Sequence, residues 1–171
     1  MTFNSNPIAI IKTNRGTIKI ELFKQDAPKT VKNFINYVKE DFYRWTIFHR
    51  VIKDFVIQGG GFKPGMIQKE PLFDPIKNET SISKHKNKRG TIAMARTSNP
   101  DSATSQFYIN LKDNESLDWD KAKDGHGYCV FGEVVEGLNV VYDIGSIKTH
   151  SEKGYNDVPI DDVIIKNIKI N

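Results

Sequence analysis

Cysteine is almost missing: Cys129 is the only one in 171 residues, so no disulfide can form within the chain. It lies in the apolar run 128–131 (YCVF), where a small buried hydrophobe is the default reading. Histidine is sparse as well. His49, His85, His126 and His150 stand at no metal-binding spacing from one another or from Cys129, so no metal is expected. No nearby Ser or Cys completes a nucleophilic triad with His49. Gly59-Gly60-Gly61 fails the dinucleotide fingerprint, because Pro64 stands where its last glycine belongs and no helical pattern follows. A phosphate-loop lysine motif is also missing, and no cofactor is expected. No apolar run approaches the roughly 20 residues of a membrane-spanning helix, so no membrane partner is expected. The start, MTFNSNPIAIIK, has neither the long apolar core nor the basic lead of a secretory signal. The expected location is the cytoplasm.

What is present describes an ordinary globular chain, with 38% hydrophobic and 27% charged residues. The length suits one domain with a sizeable core and no need of covalent staples. Residues 1–171 are read as that domain, with 1–7 as a short N-terminal extension. Lys and Arg outnumber Asp and Glu by 25 to 21, and the pI is near 9.0. The lysines are interleaved with acids, however, and the densest run, 84–89 (KHKNKR), precedes a strand as a short polar stretch. Nucleic-acid binding needs a basic stripe on one face, so no nucleic-acid partner is expected.

Hydrophobic periodicity supplies the elements. Residues 8–12 and 17–23 read as strands around an Asn14-Arg15-Gly16 turn, and Ile18, Ile20 and Leu22 alternate with Lys19 and Glu21. The period then lengthens: Asp26 as cap, Pro28 in the first turn, then Val31, Phe34, Ile35 and Val38 predict an amphipathic helix over 29–39. Further strands are expected at 47–51, 55–58, 91–96, 106–111, 130–135 and 163–170, with a second helix over 138–144. Residues 62–88, 112–127 and 145–162 read as loops, the first with a short extended piece at 75–78. Many short strands without strand–helix alternation exclude a parallel α/β fold and suit a closed antiparallel barrel.

The chain is organised around 48–61, FHRVIKDFVIQGGG. Arg50 and Gln58 stand in it among Phe48, Phe55, Val56 and Ile57. A guanidinium in such company either lies with its stem along apolar surface and its head in water, or is held for directed hydrogen bonding. The order of residues here closely resembles the central motif of the cyclophilins, the peptidyl-prolyl cis-trans isomerases. Residues 90–96 (GTIAMAR), 105–110 (SQFYIN) and 130–134 (VFGEV) resemble the other family blocks in order and spacing. Glu79-Thr80, Tyr128-Cys129 and the C-terminal VPIDDVIIKNIKI look most like the single-domain bacterial branch.

The resemblance implies a mainly β fold, a closed eight-stranded antiparallel barrel capped by two α-helices. It implies catalysis of rotation about X-Pro bonds in folding or flexible chains, without a cofactor; a monomer is expected because no long amphipathic seam remains unassigned. Arg50 matches the catalytic arginine and Gln58 the glutamine that orients it. Phe55, Val56, Tyr108 and Leu117 match the proline pocket, with Phe107 in the adjoining barrel core and Tyr128 where many relatives carry histidine. Ala95, Arg96 and Thr97 match the edge that holds the peptide backbone, and Gln106 the neighbouring groove. Pattern alone reads Phe55, Val56 and Leu117 as core, and strict strand alternation sets Phe55 and Val56 on opposite faces. Relatives that bind cyclosporin tightly carry Trp where this chain has Ser116, so weak cyclosporin binding is expected. Two rivals remain: a proline-peptide-binding module or chaperone that keeps the groove without catalysis, and a nucleic-acid-binding barrel suggested only by the pI.

Overall fold

The computed structural model describes residues 5–171. In chain order the elements are β1 (Ile8–Thr13), β2 (Gly16–Leu22), α1 (Pro28–Lys39), β3 (Thr46–Ile47), β4 (Arg50–Ile52) and β5 (Val56–Gly59). There follow β6 (Phe62–Lys63), β7 (Ile67–Gln68), α2 (Thr80–Ser83), β8 (Thr91–Met94), β9 (Phe107–Asn110) and β10 (Val130–Glu136). The chain ends with α3 (Leu138–Gly145), β11 (Thr149–Glu152), β12 (Tyr155–Pro159) and β13 (Ile164–Ile170).

β1 and β2 form the expected hairpin. Its turn is fastened by the Thr13 hydroxyl, which donates to Gly16 O at 2.7 Å and accepts from the Arg15 N–H at 3.0 Å. Ile18, Ile20 and Leu22 are fully buried, as their alternation predicts. The expected N-terminal extension lies outside the described residues over 1–4. Its later part is tied to β2, with Pro7 O accepting from the Leu22 N–H at 2.9 Å and Asn6 Nδ2 donating to Glu21 Oε1 at 3.0 Å.

All the long strands belong to one curled antiparallel sheet, in the order β3-β13-β1-β2-β10-β8-β9-β5-β4. Its first and last strands do not pair with each other. They are successive pieces of one chain segment, joined through Phe48-His49: β3 pairs with β13 and β4 with β5. The ring expected from sequence is therefore closed by the covalent chain rather than by a last ladder. Nine strands become eight when β3 and β4 count as one bent strand.

The helices sit at opposite ends of the curl. Phe34 of α1 meets Phe107, at the start of β9, edge-on at 5.7 Å between ring centroids, while Gly145 of α3 packs on Leu111, just past its end. Phe34, Val31, Val141 and Ile144 join the strands' inward side chains in one buried cluster, each worth roughly 1.5–3 kcal/mol of burial. Asp26 does not cap α1. Its carboxylate meets His85 at 2.7 Å, and the helix start is held instead by Glu79, which is 2% exposed. Glu79 accepts from the N–H groups of Lys29 (3.2 Å) and Thr30 (2.6 Å) and from the Thr30 hydroxyl (2.7 Å). A carboxylate there satisfies orphan donors at the positive end of the helix dipole.

The expected loops contain more structure than their polarity suggests. Residues 62–88 hold the β6–β7 hairpin and the single turn of α2, and the extended piece at 75–78 is reduced to one bridge between Ile76 and Ala103. Residues 112–127 contain a 3-10 turn, Glu115–Leu117. Residues 145–162 contain the β11–β12 hairpin, turned by Lys153 (φ 50) and Gly154 (φ 83). Two successive left-handed residues make the tight turn that matches strand twist.

Candidate active site

Sheet alternation builds the site. One row across the sheet, Val51–Ile57–Ile109–Ile92, points into the core. The next row, Arg50–Gln58–Tyr108–Ala93–Val130, points outward. Val56, Ala93, Tyr108 and Val130 form a second buried cluster on that outer face, joined by the half-buried Phe55, Ala95, Leu117 and Tyr128. Phe55 shares this face with Val56 because it is not in the strand. The chain turns at Lys53-Asp54, with Asp54 at φ 58, and β5 begins only at Val56.

The result is a cleft of about 230 Å³ lined by Arg50, Phe55, Val56, Gln58, Ala95, Arg96, Tyr108, Leu117 and Tyr128. Arg50 is half-buried, and its Nη1 donates to Gln58 Oε1 at 3.1 Å across the β4–β5 pair. Gln58 Nε2 in turn donates to Gln106 Oε1 at 3.1 Å. The amide thus has its acceptor toward Arg50 and its donor toward Gln106. The contact is close because Gly61 lies against Gln106: a Cβ at Gly61 would come within 2.6 Å of that side chain. Among the described residues no carboxylate pairs with Arg50, so most of its five donors remain open to the cleft.

The walls rest on a buried polar network that the sequence reading missed. Asn87 Oδ1 accepts from the Tyr108 hydroxyl at 2.7 Å and from Asn110 Nδ2 at 3.1 Å. Its own Nδ2 donates to Leu117 O (3.2 Å), Asp118 Oδ1 (3.2 Å) and Tyr128 O (3.4 Å). Asn114 Nδ2 holds Phe55 O at 2.9 Å. Burial pushes the Tyr108 phenol well above its ordinary value, with Tyr128 adding to the effect, so it stays a donor to Asn87.

Arg96 is held by its side chain as well as its backbone. With only 3% of the side chain exposed, its guanidinium stacks on the Tyr128 ring at 4.2 Å and donates through Nη2 to Asp124 Oδ2 and Gly127 O, both at 2.7 Å. The N–H groups of His126 and Gly127 and the Arg96 guanidinium hold the Asp124 carboxyl far below its usual range. Three of the expected site residues, Gln106, Phe107 and Thr97, are not in the cleft lining. Gln106 stands beside it, bonded to Gln58. Phe107 is fully buried on the opposite, inner face. Thr97 is turned toward Ser102, whose Oγ accepts from its N–H at 3.0 Å.

His49, beside Arg50, is packed against Phe62 at 4.4 Å between centroids. Burial, and then the Arg50 charge, push its imidazole from 6.5 down to about 4. The unfolded chain therefore takes up a proton near pH 6.5 that the folded protein refuses until about pH 4. Stability falls as pH drops through that window, by at most about 3 kcal/mol. Urea midpoints measured from pH 7.5 to 4 are expected to lose this slope in His49→Phe, and an unchanged slope would remove His49 as its source. The Cys129 thiol is likewise buried, and burial pushes it up to about 11, which leaves it a packing residue.

These features define a class: an antiparallel barrel with an outward cleft that pairs apolar walls with a guanidinium held at its rim. The family model for cyclophilin type peptidyl-prolyl cis-trans isomerase/CLD matches residues 8–170, and the chain belongs to this family. It is 52% identical over 160 residues to peptidyl-prolyl cis-trans isomerase B of Escherichia coli (strain K12), covering 93% of this chain and 96% of that one. It is 49% identical over 166 residues to a peptidyl-prolyl cis-trans isomerase of Acinetobacter baylyi, covering 97% and 86%. Among solved structures, a cyclophilin type isomerase of Cryptosporidium parvum, determined in the presence of the dipeptide Ala-Pro, superposes with a TM-score of 0.80 at 32% identity. That match covers 96% of this chain and 98% of the other. The protein is a peptidyl-prolyl cis-trans isomerase. Among the described residues no helix is long and apolar enough to cross a membrane.

Proposed function

We propose that Arg50 is the catalytic donor of this isomerase and that Gln58 is its positioning residue. Phe55, Val56, Tyr108 and Leu117 hold the prolyl ring, and the edge 95–97 with Gln106 holds the flanking peptide. The observation that carries the reading is the Arg50–Gln58–Gln106 hydrogen-bonded line at the rim of a cleft walled partly by Phe55, Val56 and Leu117. Rotation about a peptide bond is opposed by a resonance barrier of roughly 18–20 kcal/mol. In the twisted state resonance is lost and the imide nitrogen regains a lone pair. A guanidinium N–H aimed at that nitrogen binds the twisted state better than either planar one, which is the differential binding that lowers a barrier. The apolar walls bind both planar forms and set affinity rather than rate. No proton needs to be exchanged, so a group that never loses its charge is suited to the task.

The substrates are X-Pro segments of unfolded or flexible chains, and the role is to speed proline-limited folding steps, which take tens of seconds uncatalysed. The Ala-Pro dipeptide present with the Cryptosporidium relative supports this by likeness. We read residues 1–171 as one domain acting as a monomer in the cytoplasm, to be checked by fractionation and sedimentation. NMR exchange spectroscopy on a short Ala-Pro peptide tests the central reading. Enhanced cis-trans exchange, with shifts at Phe55, Tyr108 and Leu117, is expected. Exchange with shifts confined to other residues would move the site.

Cyclosporin binds weakly on this reading. Ser116 is exposed on the 3-10 turn, and the nearby Trp119 lies under the Lys86 ammonium, 5.7 Å from its ring centre, and outside the cleft lining. Ser116→Trp, which supplies an indole donor and apolar area, is expected to tighten inhibition by at least about tenfold. Submicromolar inhibition of the unaltered protein would overturn this.

A further inference from the structure

A second concavity, of about 620 Å³, lies between the outer face of α1 and the segment that leads into α2. Lys29 and Lys32, one turn apart on α1, line one side, and Leu72, Phe73, Ile76 and Lys77 line the other. Asp74 is the one acid on its wall. None of the three lysines pairs with a carboxylate among the described residues, unlike Lys19 and Lys86, which do. The concavity therefore carries a surplus of unpaired positive charge beside exposed apolar side chains, Leu72 being 51% exposed and Phe73 38%.

The far wall is fixed in place. The buried Tyr37 hydroxyl accepts from the N–H groups of both Leu72 (3.2 Å) and Phe73 (3.3 Å), and its ring meets Phe73 edge-on at 4.9 Å. Lys69 Nζ is tied to Phe42 O at 2.6 Å, and the Ile76–Ala103 bridge fastens the other end. A wall built this way loses little entropy on binding.

The concavity borders the proline cleft through a recess of about 10 Å³. Ile76 and Lys77 close one side of this recess and Arg96 the other, and Arg96 lines the cleft itself. We infer that the client polypeptide, gripped at its proline in the cleft, runs past Arg96 and Lys77 and lays an acidic segment carrying an apolar side chain in the α1 concavity. The inference rests on the cleft being the proline site. It makes Lys29, Lys32 and Lys77 selectivity residues: clients with Asp or Glu and a Leu or Phe a few residues from the proline are preferred over neutral ones.

The test compares synthetic peptides by calorimetry and by NMR exchange. One is a short Ala-Pro peptide. Two others add a Leu-Glu-Asp-Glu segment through about two to six alanines, a reach of up to about 20 Å, on the N-terminal or the C-terminal side. Each has an isosteric Leu-Gln-Asn-Gln control. One acidic peptide is expected to bind about tenfold more tightly than its control, with the margin shrinking as salt rises. The margin should vanish in Lys29→Glu/Lys32→Glu/Lys77→Glu, while exchange of the short peptide is unchanged in that variant. Equal binding of acidic and control peptides on both sides overturns the inference, as does a margin that survives charge reversal. An acidic segment that binds as tightly without the proline, or an oligonucleotide that occupies the concavity where the peptide does not, also overturns it. Failure of the proline-site reading registers separately, as absent exchange of the short peptide.

Discussion

Arg50→Ala is expected to cut catalysed exchange of an Ala-Pro peptide by about a hundredfold or more while the peptide still binds within a few-fold. The magnitude follows from what is removed: one preorganised donor serving the transition state, whose loss in comparable sites costs about 10²–10³ in rate. Arg50 contributes no buried ion pair among the described residues and sits on the outer face, so the fold should persist. The apolar walls are untouched, so affinity for the planar forms should largely remain. NMR exchange spectroscopy and a binding titration on the same sample separate the two effects. Loss of binding in proportion to loss of rate would make Arg50 a docking residue. Equal catalysis in both proteins would leave the enzyme but remove its proposed donor. Arg50→Lys is expected to recover only a small part of the rate, because an ammonium lacks the planar fork that Gln58 holds in register.

Asn87→Ala carries the largest expected effect on stability, about 3 kcal/mol or more. Asn87 is 1% exposed and serves five partners: the Tyr108 hydroxyl, the Asn110 amide, the Asp118 carboxylate, and the carbonyls of Leu117 and Tyr128. Truncation leaves the Tyr108 hydroxyl and the Tyr128 carbonyl without these partners, while Asn110 Nδ2, Asp118 Oδ1 and Leu117 O each keep another bond. Each unsatisfied buried group costs roughly 1–3 kcal/mol. Three of the five partners, Tyr108, Leu117 and Tyr128, belong to cleft walls, so KM should rise several-fold with a smaller change in kcat. Tyr108→Phe removes one partner only and should cost about 1 kcal/mol. Urea unfolding of both variants provides the check. A cost for Asn87→Ala no larger than that for Tyr108→Phe would mean that solvent fills the gap.

The two halves of the site were unequally legible in the sequence. Arg50, Gln58, Val56 and Tyr108 lie on strands, where alternation and motif order make positions readable, and Phe55 became intelligible once Asp54 proved to turn the chain before β5. Asn87, Asn114 and Asp118 were not legible. They stand in polar stretches that read as solvated loops, and only the fold brings them under Tyr108. An Asn closing the apolar strand FYIN was the available hint, since a buried amide there requires partners. Glu79 was missed for the same reason: its ligands on α1 are about 50 residues away. The β11–β12 hairpin escaped because β11 (THSE) is polar throughout and β12 carries only Tyr155 and Val158 as apolar signals, although Lys153-Gly154 is a usable turn signal.

The way the sheet ends bears on the unfolded or flexible chains proposed as substrates. An unfolded polypeptide adds readily to any free strand edge, and a sheet that offers one becomes a template for aggregation. Here the two terminal strands are one stretch of chain, with β6 alongside β3 and β12 alongside β4. On the proposed reading a client enters the cleft by its proline, and among the described residues the main sheet offers it no long open edge. The bend that carries Arg50 thus also removes an edge on which a released chain could add.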